Sequence, residues 1–135
     1  MNRLDRPQPE LVLAETEVRR LSVLASQAGG DSLFGKLLHA EINRAQIRKD
    51  RHVPPQFVRM HSIIRFKDAG VRSPDVLLVY PGEADPAAGL ISVLSREGAA
   101  LIGLQLGTTI WWPGCGGAFG PISVDRVTPP TGLQF

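Results

Sequence analysis

The chain has one cysteine in 135 residues, Cys115, so no intramolecular disulfide can staple it. Its three histidines, His39, His52 and His61, are scattered with no metal-ligand spacing, and neither a metal nor any other cofactor is expected. Five Phe, two Trp and one Tyr leave few aromatic rings to line an apolar pocket. A large excess of one charge is also missing: 15 basic and 13 acidic side chains leave a net charge of +2. Splitting at Gln56 puts nine basic against seven acidic residues before it and six against six after it. Nucleic-acid footprints usually need a basic stripe, and this balance is too weak to argue for one. Long hydrophobic runs are absent as well. Stretches such as Val76 to Tyr80 fall far below the roughly 20 residues of a membrane-spanning helix. The opening MNRLDRPQPE carries charges and two prolines where a signal peptide would begin its apolar stretch. A soluble, cytoplasmic protein with no membrane partner is expected.

What is present is 43% hydrophobic residues in two segments of different period. The length suits one compact core with a modest appendage. Between Gln8 and Ala28, Leu11, Ala14, Val18, Leu21, Ala25 and Ala28 recur at spacings of three and four, the stripe of an amphipathic helix. Gly29 and Gly30 break it, and Asp31 or Ser32 can accept the free amides of a second helix running to about Ile47. That helix carries Phe34, Leu38, Ile42 and Ala45 on one face. The two make a short antiparallel helical hairpin, each arm about 25 Å long at about 1.5 Å per residue. Such a pair is marginal alone and should lean on the rest of the protein.

Val53-Pro54-Pro55 forbids further helix and marks a boundary, giving a helical unit at residues 1–52 and a second unit at 53–135. Beyond it strands are expected at Phe57 to Phe66, Asp75 to Tyr80, Gly89 to Leu94, Thr108 to Trp112 and Pro121 to Val127. In the first of these Val58, Met60, Ser62 and Ile64 alternate against Arg59, His61, Ile63 and Arg65. One short helix, from Ser95 to Gly103, interrupts the strands. The whole is an α+β protein in which about five strands carry one covering helix. Trp111 and Trp112, adjacent on a strand, must point to opposite faces, one into the core and one partly exposed. The tail, which contains Pro and Gly, is expected to fray.

The run VLLVYPGEAD, then GLISVLSREGAALIGLQLG, then TTIWWP, resembles the C-terminal domain of the bacterial GreA/GreB transcription elongation factors, and most of all its Rnk-type members, regulators of nucleoside diphosphate kinase. The shared features are Tyr80-Pro81, Ala84-Asp85, Ile91 to Val93, Gly98 to Leu104 and Trp112-Pro113, with a looser likeness through the helical hairpin. The resemblance implies an FKBP-like antiparallel sheet with one short helix, preceded by a coiled coil. It also implies docking on RNA polymerase at the rim of the secondary channel, with DNA approached only indirectly, through the polymerase.

Glu83 and Asp85, in the turn PGEADP, and Ser95, Arg96 and Gly98, at the opening of the short helix, become the implied polymerase-binding residues. A solvated β-turn and a plain serine N-cap explain these positions as well. Arg96 stands where the family commonly has proline. In the cleavage factors, neighbouring acidic residues at the coiled-coil tip help hold a catalytic magnesium ion. Here the tip at Gly29, Gly30 and Asp31 offers one carboxylate, better read as a helix cap, so binding without transcript cleavage and without enzyme activity is expected.

The glycine-rich Gly114 to Gly120 lacks the Lys-Ser/Thr ending of a phosphate-binding loop and is read as a hairpin connection. Cys115 has no histidine nearby in sequence to make it a nucleophile. Arg19, Arg20, Arg44 and Arg48 fit the solvated face of the hairpin. Rival functions are regulation of nucleoside diphosphate kinase outside transcription, peptidyl-prolyl isomerisation, and a dimer seamed along the helical stripe; a monomer is expected.

Overall fold

The computed structural model describes residues 8–28, 32–114 and 116–130. The expected tip at Gly29, Gly30 and Asp31, Cys115, and the tail beyond Pro130 lie outside them. The chain runs through β1 (Val12–Ala14), α1 (Glu15–Gln27), α2 (Leu33–Arg44), β2 (Gln46–Arg48), β3 (Ile63–Asp68), β4 (Val71–Arg72) and β5 (Val76–Val79). It continues through β6 (Leu90–Ser92), α3 (Arg96–Leu101), β7 (Thr109–Pro113) and β8 (Phe119–Thr128).

The two helices pack on each other, but they are shorter than expected, about 20 and 18 Å at about 1.5 Å per residue. The first starts at Glu15, not near Gln8, because Val12–Ala14 is a strand paired in parallel with Gln46–Arg48. Leu11 and Ala14 are buried as the helical stripe required, but their backbone finds partners elsewhere. Gln46 N donates to Leu11 O at 2.8 Å, and Val12 N to Gly103 O at 3.1 Å. These long-range bonds satisfy the main chain where a helix would otherwise have to. Ser32 caps α2, its hydroxyl accepting from Gly35 N at 3.0 Å, and Glu15 and Glu17 place negative charge in the first turn of α1.

The main sheet has the order β6-β5-β3-β8-β7, with β4 hairpinned onto β3. It is mixed and not antiparallel throughout, since β5 and β6 run parallel with Leu77 opposite Leu90. The chain leaving Val79 returns along the sheet edge through two 3-10 turns, Pro81–Glu83 and Pro86–Ala88, before re-entering in the same direction. The strand expected from Phe57 begins only at Ile63. Before it, Ser62 N donates to Arg59 O at 3.1 Å, Arg59 N donates to the Ser62 hydroxyl at 2.9 Å, and His61 takes a φ of 67°. The chain therefore turns here, although Val58, Met60, Ser62 and Ile64 are all buried as the alternation predicted.

One hydrophobic cluster joins both segments: Leu21, Ala25, Leu38 and Ile42 of the helices meet Ile64, Leu78, Leu101, Ile110, Trp112 and Ile122. The hairpin spends its apolar stripe on the sheet. Trp112 is fully buried and donates to Arg96 O at 2.9 Å, while Trp111 on the opposite face is partly exposed. Gly114 N donates to Ala118 O at 2.8 Å in the connection between β7 and β8, the hairpin expected there.

Candidate functional site

The acidic turn is built where the chain leaves β5. Tyr80 ends the strand, Pro81 opens the 3-10 turn, and Glu83 folds back so that its carboxylate accepts from Tyr80 N at 3.3 Å and from His61 Nε2 at 2.9 Å. The His61 hydrogen bond holds the Glu83 carboxyl below its ordinary range; burial opposes it, and the Tyr80 amide adds to the lowering. Asp85 is exposed, and its main chain exchanges hydrogen bonds with Leu90 at 2.9 and 3.0 Å. Both 3-10 turns pack on β6.

Because its folded pKa is depressed, the Glu83 contribution is present above the unfolded value of about 4.3 and is lost as pH falls through the lower folded value. A His61→Ala variant is expected to move the Glu83 titration upward towards that unfolded value, as followed by carboxyl carbon chemical shifts. An unchanged titration would remove His61 as the cause.

Tyr80 links the turn to α1. The Arg20 guanidinium stacks 3.6 Å above the centre of its ring, and His61 meets the ring edge-on at 5.7 Å. Burial, and next the negative Glu17, push the Tyr80 hydroxyl above its ordinary pKa. Beside this lies a cleft of about 480 Å³ lined by Thr16, Glu17, Asp50, Arg59, His61 and Tyr80, among others.

Arg59 is the centre of that cleft, with only 6% of its side chain exposed. Its Nε and Nη2 donate to Glu17 Oε2 at 2.9 and 2.7 Å, and Nη2 lies 3.3 Å from Asp50. The other Glu17 oxygen accepts from Met60 N at 2.9 Å. Asp50 also receives the Thr16 amide at 3.2 Å and the Thr16 hydroxyl. Burial raises the Asp50 pKa, but the two Thr16 hydrogen bonds and the Arg59 charge outweigh it, and the net shift is downward. This network pins α1 to the loop between Val53 and Ile63. Sequence reasoning missed it, having assigned Arg59 to the solvent face of a strand; the one available signal was an arginine set between Val58 and Met60.

The residues at the start of α3 point inward. The Ser95 hydroxyl accepts from Gly98 N at 3.1 Å and donates to Ser92 O at 2.6 Å, the N-cap foreseen as its plain explanation. Arg96 pairs with Asp68 and, at 3.1 Å, with Glu97, reaches Pro113 O at 3.4 Å, and keeps only 12% of its side chain exposed. At Gly98 a β-carbon would stand 2.0 Å from Ser92 O. These three residues lock α3 against β6, β3 and β7, whereas Glu83 and Asp85 are exposed on the surface. Gly29, Gly30 and Asp31 lie outside the described residues. Among the described residues, no group of three or more His, Cys, Asp and Glu is placed to hold a metal ion, and no helix is long and apolar enough to cross a membrane.

A family model described as "Transcription elongation factor, GreA/GreB, C-term" matches residues 53–120. The chain is 30% identical over 112 residues to the "Regulator of nucleoside diphosphate kinase" of Escherichia coli K12, covering 82% of each chain, and to its Shigella flexneri counterpart to the same extent. Among solved structures it resembles the prokaryotic transcription elongation factor GreA/GreB from Nitrosomonas europaea, with a TM-score of 0.69 and 30% identity. That likeness covers 90% of this chain and 99% of the other.

Proposed function

The chain belongs to the GreA/GreB transcription elongation factor family, and from that premise we propose that it regulates transcription by binding RNA polymerase at the rim of the secondary channel without stimulating transcript cleavage. The observation that carries this reading is the acidic turn: Glu83 is oriented by His61, on a surface continued by Asp85 and braced by Arg20 over Tyr80. Ser95, Arg96 and Gly98 serve docking by fixing α3, and with it β6, beneath the turn. The family match over residues 53–120 supports a C-terminal unit starting at residue 53, which we take as an FKBP-like unit at 53–135 preceded by a coiled-coil unit at 1–52. Absence of cleavage is supported by the short arms, and by a tip sequence with a single carboxylate, Asp31. Use of the helical stripe inside the molecule supports a monomer, and the family supports a cytoplasmic one.

In a pull-down with core RNA polymerase, the double reversal Glu83→Lys, Asp85→Lys is expected to weaken binding by about tenfold or more. Excess Gre factor is expected to displace the wild-type protein, and a backtracked elongation complex should release no additional cleaved transcript in its presence. No binding at low and moderate salt would overturn the polymerase reading. The names of the E. coli and Shigella relatives favour a second reading, direct regulation of nucleoside diphosphate kinase. That reading requires the kinase to co-elute with this protein when polymerase is absent.

A further inference from the structure

We propose that the outer face of the sheet, where Arg65, Lys67, Arg72 and Arg126 converge, binds the phosphate backbone of a single-stranded nucleic acid. Six basic residues follow Gln56, and the fold sorts them sharply. Arg59 and Arg96 are consumed in largely buried ion pairs. The other four all line one open cleft of about 590 Å³, accompanied by two carboxylates, Asp75 and Asp125. A chain that is nearly neutral overall thus gathers a local excess of positive charge on one surface.

The register makes the excess costly. Arg65 lies directly opposite Arg126 across β3 and β8, and Lys67 directly opposite Arg72 across β3 and β4. Like charges facing each other across a sheet are destabilising, and an anion lying over them removes that cost. Arg65 is neutralised by Asp75 at 2.5 Å, but among the described residues Lys67, Arg72 and Arg126 have no ion pair. The bulge opposite Arg65 and Phe66 leaves Asp125 as the extra residue between Val124 and Arg126, and bends β8 at this point.

Spacing indicates the kind of anion. Residues two apart on a strand are separated by about 6.8 Å, and neighbouring strands by about 4.8 Å, so the cations form a flat array two to three charges long. A repeating chain of phosphates fits that array better than one compact anion, and the planar arginine forks suit phosphate oxygens. The register places the partly exposed Trp111 opposite Pro121 on β8, on the same outer surface, where a base can stack. The acidic turn packs on β6, at the other side of the sheet, and is not part of this surface.

Binding at this face is independent of polymerase docking, because it is measured on the isolated full chain with a fluorescently labelled 12-nucleotide oligouridylate followed by anisotropy. The Lys67→Gln, Arg72→Gln, Arg126→Gln triple variant is expected to bind at least tenfold more weakly. Its plot of log affinity against log salt should be shallower by about 2, roughly 0.7 for each phosphate that is no longer neutralised. Since the removed cations repel one another, its melting temperature should hold or rise, which separates a binding role from a structural one. Should the triple variant fail to fold, Arg72→Gln and Arg126→Gln singly carry the test, each weakening binding about threefold. The Glu83→Lys, Asp85→Lys variant should bind the oligonucleotide at least as well as wild type. Undiminished binding by the glutamine variants, no binding by wild type at low salt, or displacement of the RNA by polyglutamate as readily as by unlabelled RNA would each overturn the proposal.

Discussion

Replacing Arg59 by methionine is expected to lower the stability of the protein by about 3–5 kcal/mol, the range found when one partner of a buried ion pair is removed. The loss comes less from the missing attraction than from what remains. Glu17, with 12% of its side chain exposed, would keep its charge facing an apolar stem, and Asp50 would lose a cation 3.3 Å away. The network also ties residues 42 positions apart in the chain, so its rupture frees α1 from the loop before β3. Urea unfolding monitored by circular dichroism gives the measurement, and a fall in Tm of about 10 °C or more should accompany it. Two features distinguish a stranded charge from lost packing. The deficit should shrink at low pH, where the stranded carboxylates can protonate, and the double variant Glu17→Met, Arg59→Met should recover most of it. A deficit below about 1 kcal/mol would show that the pair is effectively solvated.

The second large effect is at Gly98, where alanine is expected to cost about 3 kcal/mol or more. On helix propensity alone the change would stabilise α3 by up to about 1 kcal/mol. The surroundings reverse the sign: the new β-carbon would lie 2.0 Å from Ser92 O and 2.8 Å from Ser92 C and Val93 Cα. All three are backbone atoms at the end of β6, so no side chain can swing away and the helix itself must lift. That movement breaks the bond from the Trp112 indole to Arg96 O, 2.9 Å long in the intact protein. Thermal denaturation should record the destabilisation, and tryptophan emission should shift to the red as Trp112 loses its dry environment. An alanine variant as stable as wild type with unchanged emission would mean that α3 is not held this closely.

Much of the architecture could be read in advance where one residue pattern has one local solution. The stripe through Val18, Leu21 and Ala25 could only suit a helix, Val53-Pro54-Pro55 could only interrupt one, and adjacent Trp111 and Trp112 had to part to opposite faces. Family membership was legible for the same reason, in the ordered run from Tyr80-Pro81 to Trp112-Pro113. Failures fell where two local solutions compete. Leu11 and Ala14 satisfy a helical stripe and a buried strand equally, and the amide of Gln46 and the carbonyl of Gly103 decided for the strand. Leu90–Ser92 reads the same whether β6 runs parallel or antiparallel to β5, and the path of residues 80–89 settled its direction.

For the candidate site the division is sharper. The sequence by itself determined that Glu83 and Asp85 sit in a polar turn between strands and that Ser95 opens a helix, since turn formers and cap residues act on neighbours a few positions away. Only the tertiary structure decided that His61 would orient Glu83, that Arg59 would turn inward to Glu17, and that Arg96 and Gly98 would be sealed against the sheet. It likewise separated four basic side chains onto one face of a nearly neutral chain. The physical reason is range: hydrophobic periodicity and turn chemistry are local properties of the chain, whereas the burial and pairing of a charge depend on which distant segment folds against it.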